Sequence, residues 1–304
     1  MIAVLDAPSV LGLRPPAPGR LPGSRRLPEA LRGQGLVERL GAADAGRVEP
    51  PPYHPEIEPA TGVRNGAAIA GYSAALADRI GELLGQGRFP LLLGGDCSIL
   101  LGSMLALRRR GRYGLVSIDG GLDFRHAGNA DPAGPVGPLG SVAGEDLAVV
   151  TGRGAELLTD LEGRRPLVRE GDVVALGHRN LAGLRDEVLA TPMALYDVAA
   201  LRRQGPAAAA AAALAGLAGR GVEGFWIHLD TDVLDPAIMP AVDSPEPGGL
   251  AYDELVALLR VFAASELATG MQVTIFDPEL DPDGHLAAEL ADAVVAGLSA
   301  PPAP

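Results

Sequence analysis

The 304-residue chain has little of several residue types, and each shortage excludes a class of structure or of binding partner. A single cysteine, Cys97, excludes an intrachain disulfide framework and favours a reducing compartment. The net charge of −13 at pH 7 argues against nucleic-acid and anionic-membrane partners, because phosphate groups attract basic surfaces. The first residues lack the pattern of a secretory signal, and no apolar run reaches the ~18 residues of a membrane span. We therefore expect a cytoplasmic protein.

Aromatic residues are also scarce, at 4% of the chain, whereas hydrophobic residues reach 47%. The core is therefore expected to consist mainly of Leu, Val and Ala. A sheet covered by helices on both faces can use 304 residues as one unit, and no repeat or linker divides the chain. We predict one α/β domain over residues 1–304, a three-layer α/β/α sandwich with a mostly parallel central sheet.

Four apolar stretches that end in acidic residues predict buried parallel strands. In sheets of this kind the working residues lie at the carboxyl ends of the strands. A parallel sheet would therefore gather the acidic groups at one rim. The four stretches are 89–98, 114–124, 225–236 and 272–279.

The remaining segments show helical periodicity or turn-forming composition. Residues 13–28 are rich in Pro, Gly and Arg and predict a surface loop or a partner-contacting arm. The irregular stretch 125–141 predicts an active-site loop. Further strands are predicted at 2–5, 47–49, 172–176 and 193–196, and helices at 28–40, 66–87, 98–110, 142–150, 206–219, 252–267 and 284–298.

Three of the acidic motifs resemble, in order and spacing, those of the arginase/agmatinase (ureohydrolase) family. That family carries Gly-Gly-Asp-His-Ser, then Asp-Ala-His-x-Asp, then Ser-x-Asp-x-Asp-x-x-Asp-Pro with a Pro-Gly-Gly turn after it. The resemblance covers most of the chain and implies an arginase-like domain, a divalent metal such as Mn, a small-molecule substrate and a homo-oligomer, trimeric or hexameric. The matching residues are Gly94-Gly95-Asp96-Cys97-Ser98, Asp119-Gly120-Gly121-Leu122-Asp123, His228-Leu229-Asp230-Thr231-Asp232-Val233-Leu234-Asp235-Pro236 and Pro247-Gly248-Gly249.

The resemblance implies that Asp119, Asp123, Asp230 and Asp232 are metal ligands. Carboxylates can bridge two cations, and such a pair activates water near neutral pH. Four unpaired carboxylates would cost several kcal/mol in repulsion and desolvation without a cation. The alternative is that these aspartates only cap helices and turns.

Both histidine ligands of the family pattern are missing. Cys97 stands at one position, and its thiolate would favour zinc or iron over manganese. Gly121 stands at the other and offers no side chain. We therefore expect one well-held ion, and a second that is weak or absent. The ligands of the first are Cys97, Asp119, Asp123 and Asp230, and those of the second are Asp119, Asp230 and Asp232.

His228 replaces the serine of the third family motif. It shares a strand face with Asp230 and Asp232, so it is a candidate ligand or proton carrier; the alternative is a buried structural histidine. With Asp232 it forms the predicted catalytic pair. An alternative role for Cys97 is that of a catalytic nucleophile, with His228 as the base that activates it. His126 and His178 are further candidates, for which a structural role is the alternative.

Two further departures concern the substrate. Ala143 stands where the family often has a proton-shuttling histidine, and Ile275 where a glutamate holds the guanidinium group. Arginine and agmatine are therefore expected to be poor substrates. The acidic residues left nearby to bind a cationic substrate are Asp277, Glu279 and Asp281.

Two functions remain open from the sequence. The first is a metal-dependent hydrolase of a linear C–N bond in an amidine, guanidine or amide. The second is a relative that has lost hydrolysis and has a binding or assembly role. Loss of the histidines favours the second, and retention of the carboxylates favours the first.

Overall fold

The protein is described by a computed structural model over residues 1–134, 136–179 and 181–299. The four acidic stretches begin as strands, as predicted. The strands are β1 (Ile2–Ala7), β2 (Ala43–Arg47), β3 (Phe89–Gly94), β4 (Gly114–Ile118), β5 (Val173–Leu176), β6 (Ala194–Tyr196), β7 (Phe225–Asp230) and β8 (Ala268–Thr274).

These strands form a single sheet in the described part of the chain, in the order β2-β1-β3-β8-β7-β4-β5-β6. Every neighbouring pair is parallel. β3, β8, β7 and β4, which precede the four acidic motifs, are the four central strands. Their carboxyl ends therefore meet at one place on the rim, although the motifs are far apart in sequence.

Helices cover both faces of the sheet. Alternate strand residues serve the two faces, since Leu91 and Leu93 belong to one hydrophobic core and Leu92 to the other. The helices are α1 (Leu27–Gly33), α2 (Leu36–Arg39), α3 (Gly66–Gly85), α4 (Leu100–Arg108), α5 (Asp146–Val150), α6 (Glu156–Thr159), α7 (Arg185–Leu189), α8 (Val198–Gln204), α9 (Pro206–Ala218), α10 (Tyr252–Ala263) and α11 (His285–Leu298).

The two cores divide the helices into two layers. α1, α2 and α8 to α11 pack on the core that contains Leu91, and α3 to α7 pack on the core that contains Leu92. The predicted three-layer α/β/α sandwich is confirmed. That the whole of 1–304 is one domain stays a prediction. Residues 300–304, Asn180, and Pro135 of the loop predicted over 125–141 lie outside the described residues.

Several boundaries differ from those predicted. The helix expected over 28–40 is interrupted at Gly35, which adopts a φ of 71°, a left-handed conformation that favours glycine. The second strand lies at Ala43–Arg47 rather than 47–49, because these residues pair with β1. α10 ends at Ala263 rather than 267, and β8 begins at Ala268, where pairing with β7 starts. Helical periodicity contains no information about such sheet pairing.

No helix in the described ranges combines the length and apolarity needed to cross a bilayer.

Candidate metal centre

Asp119 and Asp230 lie at the ends of the neighbouring strands β4 and β7. Each holds one carboxylate oxygen in a turn, since Asp119 Oδ1 accepts from Gly121 N at 2.7 Å and Asp230 Oδ1 accepts from Asp232 N at 2.8 Å. Asp123 follows with a φ of 48°, a conformation that Asp adopts more readily than most residues. Asp119, Asp123 and Asp230 each place an oxygen within 4.8 Å of the others. The structure thus brings these three predicted ligands together.

Cys97 follows β3 through a turn that requires Gly95, because a Cβ there would lie 2.0 Å from the carbonyl oxygen of Ser9. Its side chain is fully buried, and its Sγ donates to Asp230 Oδ2 at 2.9 Å. Burial, and next the carboxylate of Asp230, raises the pKa of the Cys97 thiol well above its usual value. Without a cation, Cys97 therefore remains protonated and donates to a predicted ligand.

Asp232, the fourth aspartate of the predicted set, lines the cavity but does not belong to the group of donor atoms within 4.8 Å of one another in the described residues. Its Oδ1 accepts from Gly120 N at 2.9 Å, which joins the end of β7 to the end of β4. The Arg179 guanidinium donates to the backbone carbonyls of Asp232 and Val233 at 2.7 and 3.0 Å. Arg179 therefore fixes the loop through its backbone, and Asp232 lies in the wall of the cavity.

The surroundings of the cluster do not balance the negative charge that its carboxyl groups would carry when ionised. Burial first, and neighbouring carboxylates second, raise the pKa values of Asp123, Asp230 and Asp232 well above the usual 3.8. Arg125 and Arg179 oppose this effect only in part. A divalent cation would offset the repulsion, and the oxygen and sulfur donors present suit such an ion.

Asp146, the first residue of α5, was missed by the sequence analysis. It is 1% exposed, and its Oδ2 has no hydrogen-bond partner. Burial, followed by the charge of Asp119, raises its pKa well above the usual value. The available signal was an acidic residue opening the apolar run Leu147–Val150, which is buried on the sheet. Asp146 is thus a further carboxylate behind the predicted ligands.

His228 lies against the inner side of the cluster, on β7. It is 0% exposed, and its Nε2 is 3.8 Å from Asp119 Oδ2 and 3.9 Å from Asp146 Oδ2. Together with Cys97 and Asp230 it offers donor atoms within 4.8 Å of one another. The strand alternation therefore places the ring against the site, and its predicted catalytic role, like that of Asp232, stays a prediction.

The other histidine candidates are engaged elsewhere or isolated. His126 Nε2 lies 2.7 Å from Glu187 Oε1, and its Nδ1 accepts from Gly128 N at 3.1 Å, so both ring nitrogens have partners. His178 is buried, which lowers its pKa. Neither belongs to a group of potential metal donors in the described residues. The structural interpretation of both is therefore the better one.

A cavity of about 890 Å³ opens over the rim and is lined by Asp123, Asp230 and Asp232. Ile275 lies in its wall, 3% exposed, with a φ of 76° and its N donating to the carbonyl oxygen of Gly95 at 2.8 Å. A β-branched residue in this conformation is strained. The cavity thus has an apolar side chain at the position that the motif resemblance predicts for the guanidinium-binding glutamate of the family.

The three acidic residues expected near the substrate have different roles. Glu279 is paired with Arg20 and Arg25, each at 2.9 Å, and these arginines belong to the segment 13–28 that lines the cavity. Asp281 accepts from the first N–H groups of α11. Asp277 alone of the three lines the cavity. A cationic substrate therefore finds one of the three predicted partners rather than all of them.

A parallel α/β sandwich with buried carboxylates where its central strands end is the architecture of enzymes that bind ligands at the rim of the sheet. Residues 17–299 match the model of the Arginase family, and the chain belongs to this family. The resemblance of the sequence motifs is thereby confirmed.

Individual relatives agree with this assignment. The chain is 29% identical over 283 residues to an arginase from Bacillus caldovelox, covering 89% of this chain and 90% of that protein. It is 28% identical over 278 residues to an arginase from Bacillus subtilis, covering 88% and 90%. The solved structure of the Bacillus caldovelox arginase superposes with a TM-score of 0.87 at 26% identity, covering 99% of both chains.

Proposed function

We propose that this protein is a metal-dependent hydrolase that cleaves a linear C–N bond in a small amidine, guanidine or amide. Membership of the Arginase family supports a metal-dependent function of the amidinohydrolase type. The observation that carries the proposal is the convergence of Asp119, Asp123 and Asp230 within 4.8 Å, in a cluster where Asp119 and Asp230 are buried and no equal positive charge among the described residues faces the three carboxyl groups. Such a cluster is costly unless a cation binds there.

The protein's own residues would have distinct roles in this reaction. Cys97, Asp119, Asp123 and Asp230 would hold the one ion that is expected to bind well. Asp232 would hold a second, weaker ion together with Asp119 and Asp230. When bound, a divalent cation polarises a carbonyl-like carbon and lowers the pKa of water. Asp232 lines the cavity with one oxygen fixed by Gly120 N, so its other oxygen can take the proton released by the attacking water.

The cavity wall supports a substrate other than arginine or agmatine. Ile275 cannot form the ion pair that a guanidinium group needs, and burying that group unpaired is unfavourable. Asp277, which also lines the cavity, can bind a cationic group of the substrate. An amidine or amide with an apolar segment that contacts Ile275 fits a cavity with these two side chains.

A combined measurement of metal content and product release tests the proposal. Mass spectrometry should find about one transition ion per chain after incubation with Mn, Zn, Fe or Ni. Ammonia or urea release from a panel of amidines, amides and guanidines should then depend on that ion. If the protein contains no bound metal after incubation with each of the four metals, the hydrolase proposal is wrong.

The second candidate is an arginase-fold protein with a binding or assembly role. It is favoured by Ala143, which lines the cavity at the position of the shuttle histidine. It predicts metal uptake without turnover of any member of the panel. A trimer or hexamer and a cytoplasmic location are expected for both candidates, and light scattering on the purified protein tests the first of these.

A further inference from the structure

A buried hydrogen-bond chain fixes the proton on the His228 ring. Trp226 and His228 lie on β7, and Gln272 on β8 pairs with His228 in the sheet. Trp226 Nε1 donates to Gln272 Oε1 at 3.0 Å, and Gln272 Nε2 lies 2.8 Å from His228 Nδ1. All three side chains are fully buried, so water does not compete for these contacts.

The indole group of Trp226 determines which atoms donate and which accept in this series of hydrogen bonds. Indole N–H is only a donor, so the amide atom of Gln272 that faces Trp226 must be the oxygen. The amide nitrogen of Gln272 therefore faces His228 and donates to Nδ1. Because Nδ1 accepts this bond, the proton of the neutral ring is on Nε2. Ser103 Oγ, 2.7 Å from the same glutamine oxygen, donates to it in this orientation.

The proton on Nε2 is directed at two carboxylates. Asp119 Oδ2 and Asp146 Oδ2 lie 3.8 and 3.9 Å away, longer than a hydrogen bond. His228 Nε2 and Asp146 Oδ2 are both buried without a partner. Buried polar atoms are rarely left unpaired, and a shift of about 1 Å would close either contact.

We propose that His228 is a positioning residue that donates a hydrogen bond from Nε2 to the predicted ligand Asp119 and to Asp146 behind it, and does not bind the ion. A metal bond would need the Nε2 lone pair, which this tautomer lacks. The close approach of Cys97, His228 and Asp230 is therefore not a complete metal site. Outer hydrogen bonds of this kind orient ligating groups.

The role of His228 at the centre rests on the proposed function, but its tautomer does not. Nitrogen NMR of histidine-labelled protein reports the tautomer directly in the metal-free and the zinc-loaded protein. We expect a protonated Nε2 and an unprotonated Nδ1 in both, with the His228 signals assigned by their loss in His228→Gln. Protonated Nδ1, or an Nε2 signal shifted by direct zinc binding, overturns the inference.

Gln272→Glu provides a second test through the opposite tautomer. The two oxygens of the introduced carboxylate can accept hydrogen bonds from Trp226 Nε1 and from a protonated His228 Nδ1. In that tautomer Nε2 carries no proton, so its lone pair can bind a metal ion near Cys97 and Asp230. We expect Co²⁺ to bind at least about tenfold more tightly and its visible spectrum to gain a nitrogen ligand. Ser103→Ala, which removes another donor to the same oxygen, is the matched control and should change neither. Equal binding in Gln272→Glu and the native protein contradicts the chain of hydrogen bonds.

Substitution of the ring itself tests the positioning role. His228→Leu removes the donor and should weaken Mn²⁺ binding about tenfold, whereas His228→Gln keeps an N–H at similar reach and should restore most of it. Equal loss in both variants overturns the positioning role. If the native protein binds no metal, the proposed function fails, and the tautomer is still decided in the metal-free protein.

Discussion

The inner and outer halves of the site differ in what they retain of the family pattern. The inner half keeps the four aspartates and adds a fifth carboxylate, Asp146, beside a fully buried cysteine. The outer half has lost the groups that would handle a guanidinium substrate, with Ala143 and Ile275 in the cavity wall. Under the proposed function, ion binding and substrate choice would be carried by separate residues, so each could be changed without the other.

The largest effect should come from the carboxylate shared by both donor groups. Asp230 approaches Asp119 and Asp123 on one side and Cys97 on the other, so Asp230→Asn should weaken Mn²⁺ or Zn²⁺ binding by more than about hundredfold. Isothermal titration calorimetry measures this loss. Asp253→Asn, at an exposed aspartate in the first turn of α10, is the control and should bind normally. Equal affinity in the two variants would contradict the inner half's role.

The pH dependence of the inner half should be the next largest effect. Burial raises the pKa of Asp96 to about 6 and those of Asp123, Asp230 and Asp232 well above 3.8. Protons therefore compete with the ion, and metal affinity should rise with pH by about tenfold per unit for each proton displaced.

The same raised pKa values determine whether the free energy of unfolding of the metal-free protein rises or falls with pH. A carboxyl group whose pKa is higher in the folded state stabilises the fold below its unfolded value of 3.8 and loses that contribution as pH rises through the folded value. The free energy of unfolding should therefore fall between about pH 4 and 6, and fall further above it. Denaturant titrations with and without Zn²⁺ measure both trends, and an affinity independent of pH would show that the carboxylates are already ionised.

Introducing a histidine at position 121 tests whether the inner half can hold a second metal ion. Gly121→His should raise the metal count from about one toward two per chain. A Cβ at this position would lie 2.9 Å from Asp123 Oδ1 and 3.4 Å from Asp119 Oδ1, so the Asp123 side chain must shift slightly to admit it. Metal analysis of the purified variant gives the count. An unchanged count would mean that Gly121 does not adjoin the second ion.

The smallest effect is expected at Glu279 in the outer half. Since its carboxylate is held by Arg20 and Arg25 at the protein surface, Glu279→Gln should lower the free energy of unfolding by about 0.5 kcal/mol. Metal affinity and the substrate profile should stay as in the native protein. Loss of a cationic substrate in this variant would show that Glu279 leaves its arginine partners to bind it.

The sequence predicts the inner half better than the outer half for a physical reason. Asp119 and Asp230 each end an apolar run, so their position at the rim follows from the strand pattern alone. The pairing of Glu279 with Arg20 joins residues 259 positions apart, which no local pattern contains. Asp146 was missed because a short helix on the sheet shows no periodicity that marks a buried charge. The tautomer of His228 depends on Gln272, which belongs to a different strand.

The most direct test of the central claim is an anomalous difference map from crystals grown with Mn²⁺ or Zn²⁺. We predict one strong peak among Asp119, Asp123, Asp230 and Cys97, at about 2.0–2.3 Å from their donor atoms as in zinc sites. Absence of a peak, with these carboxyl groups hydrogen-bonded to one another instead, would contradict the account.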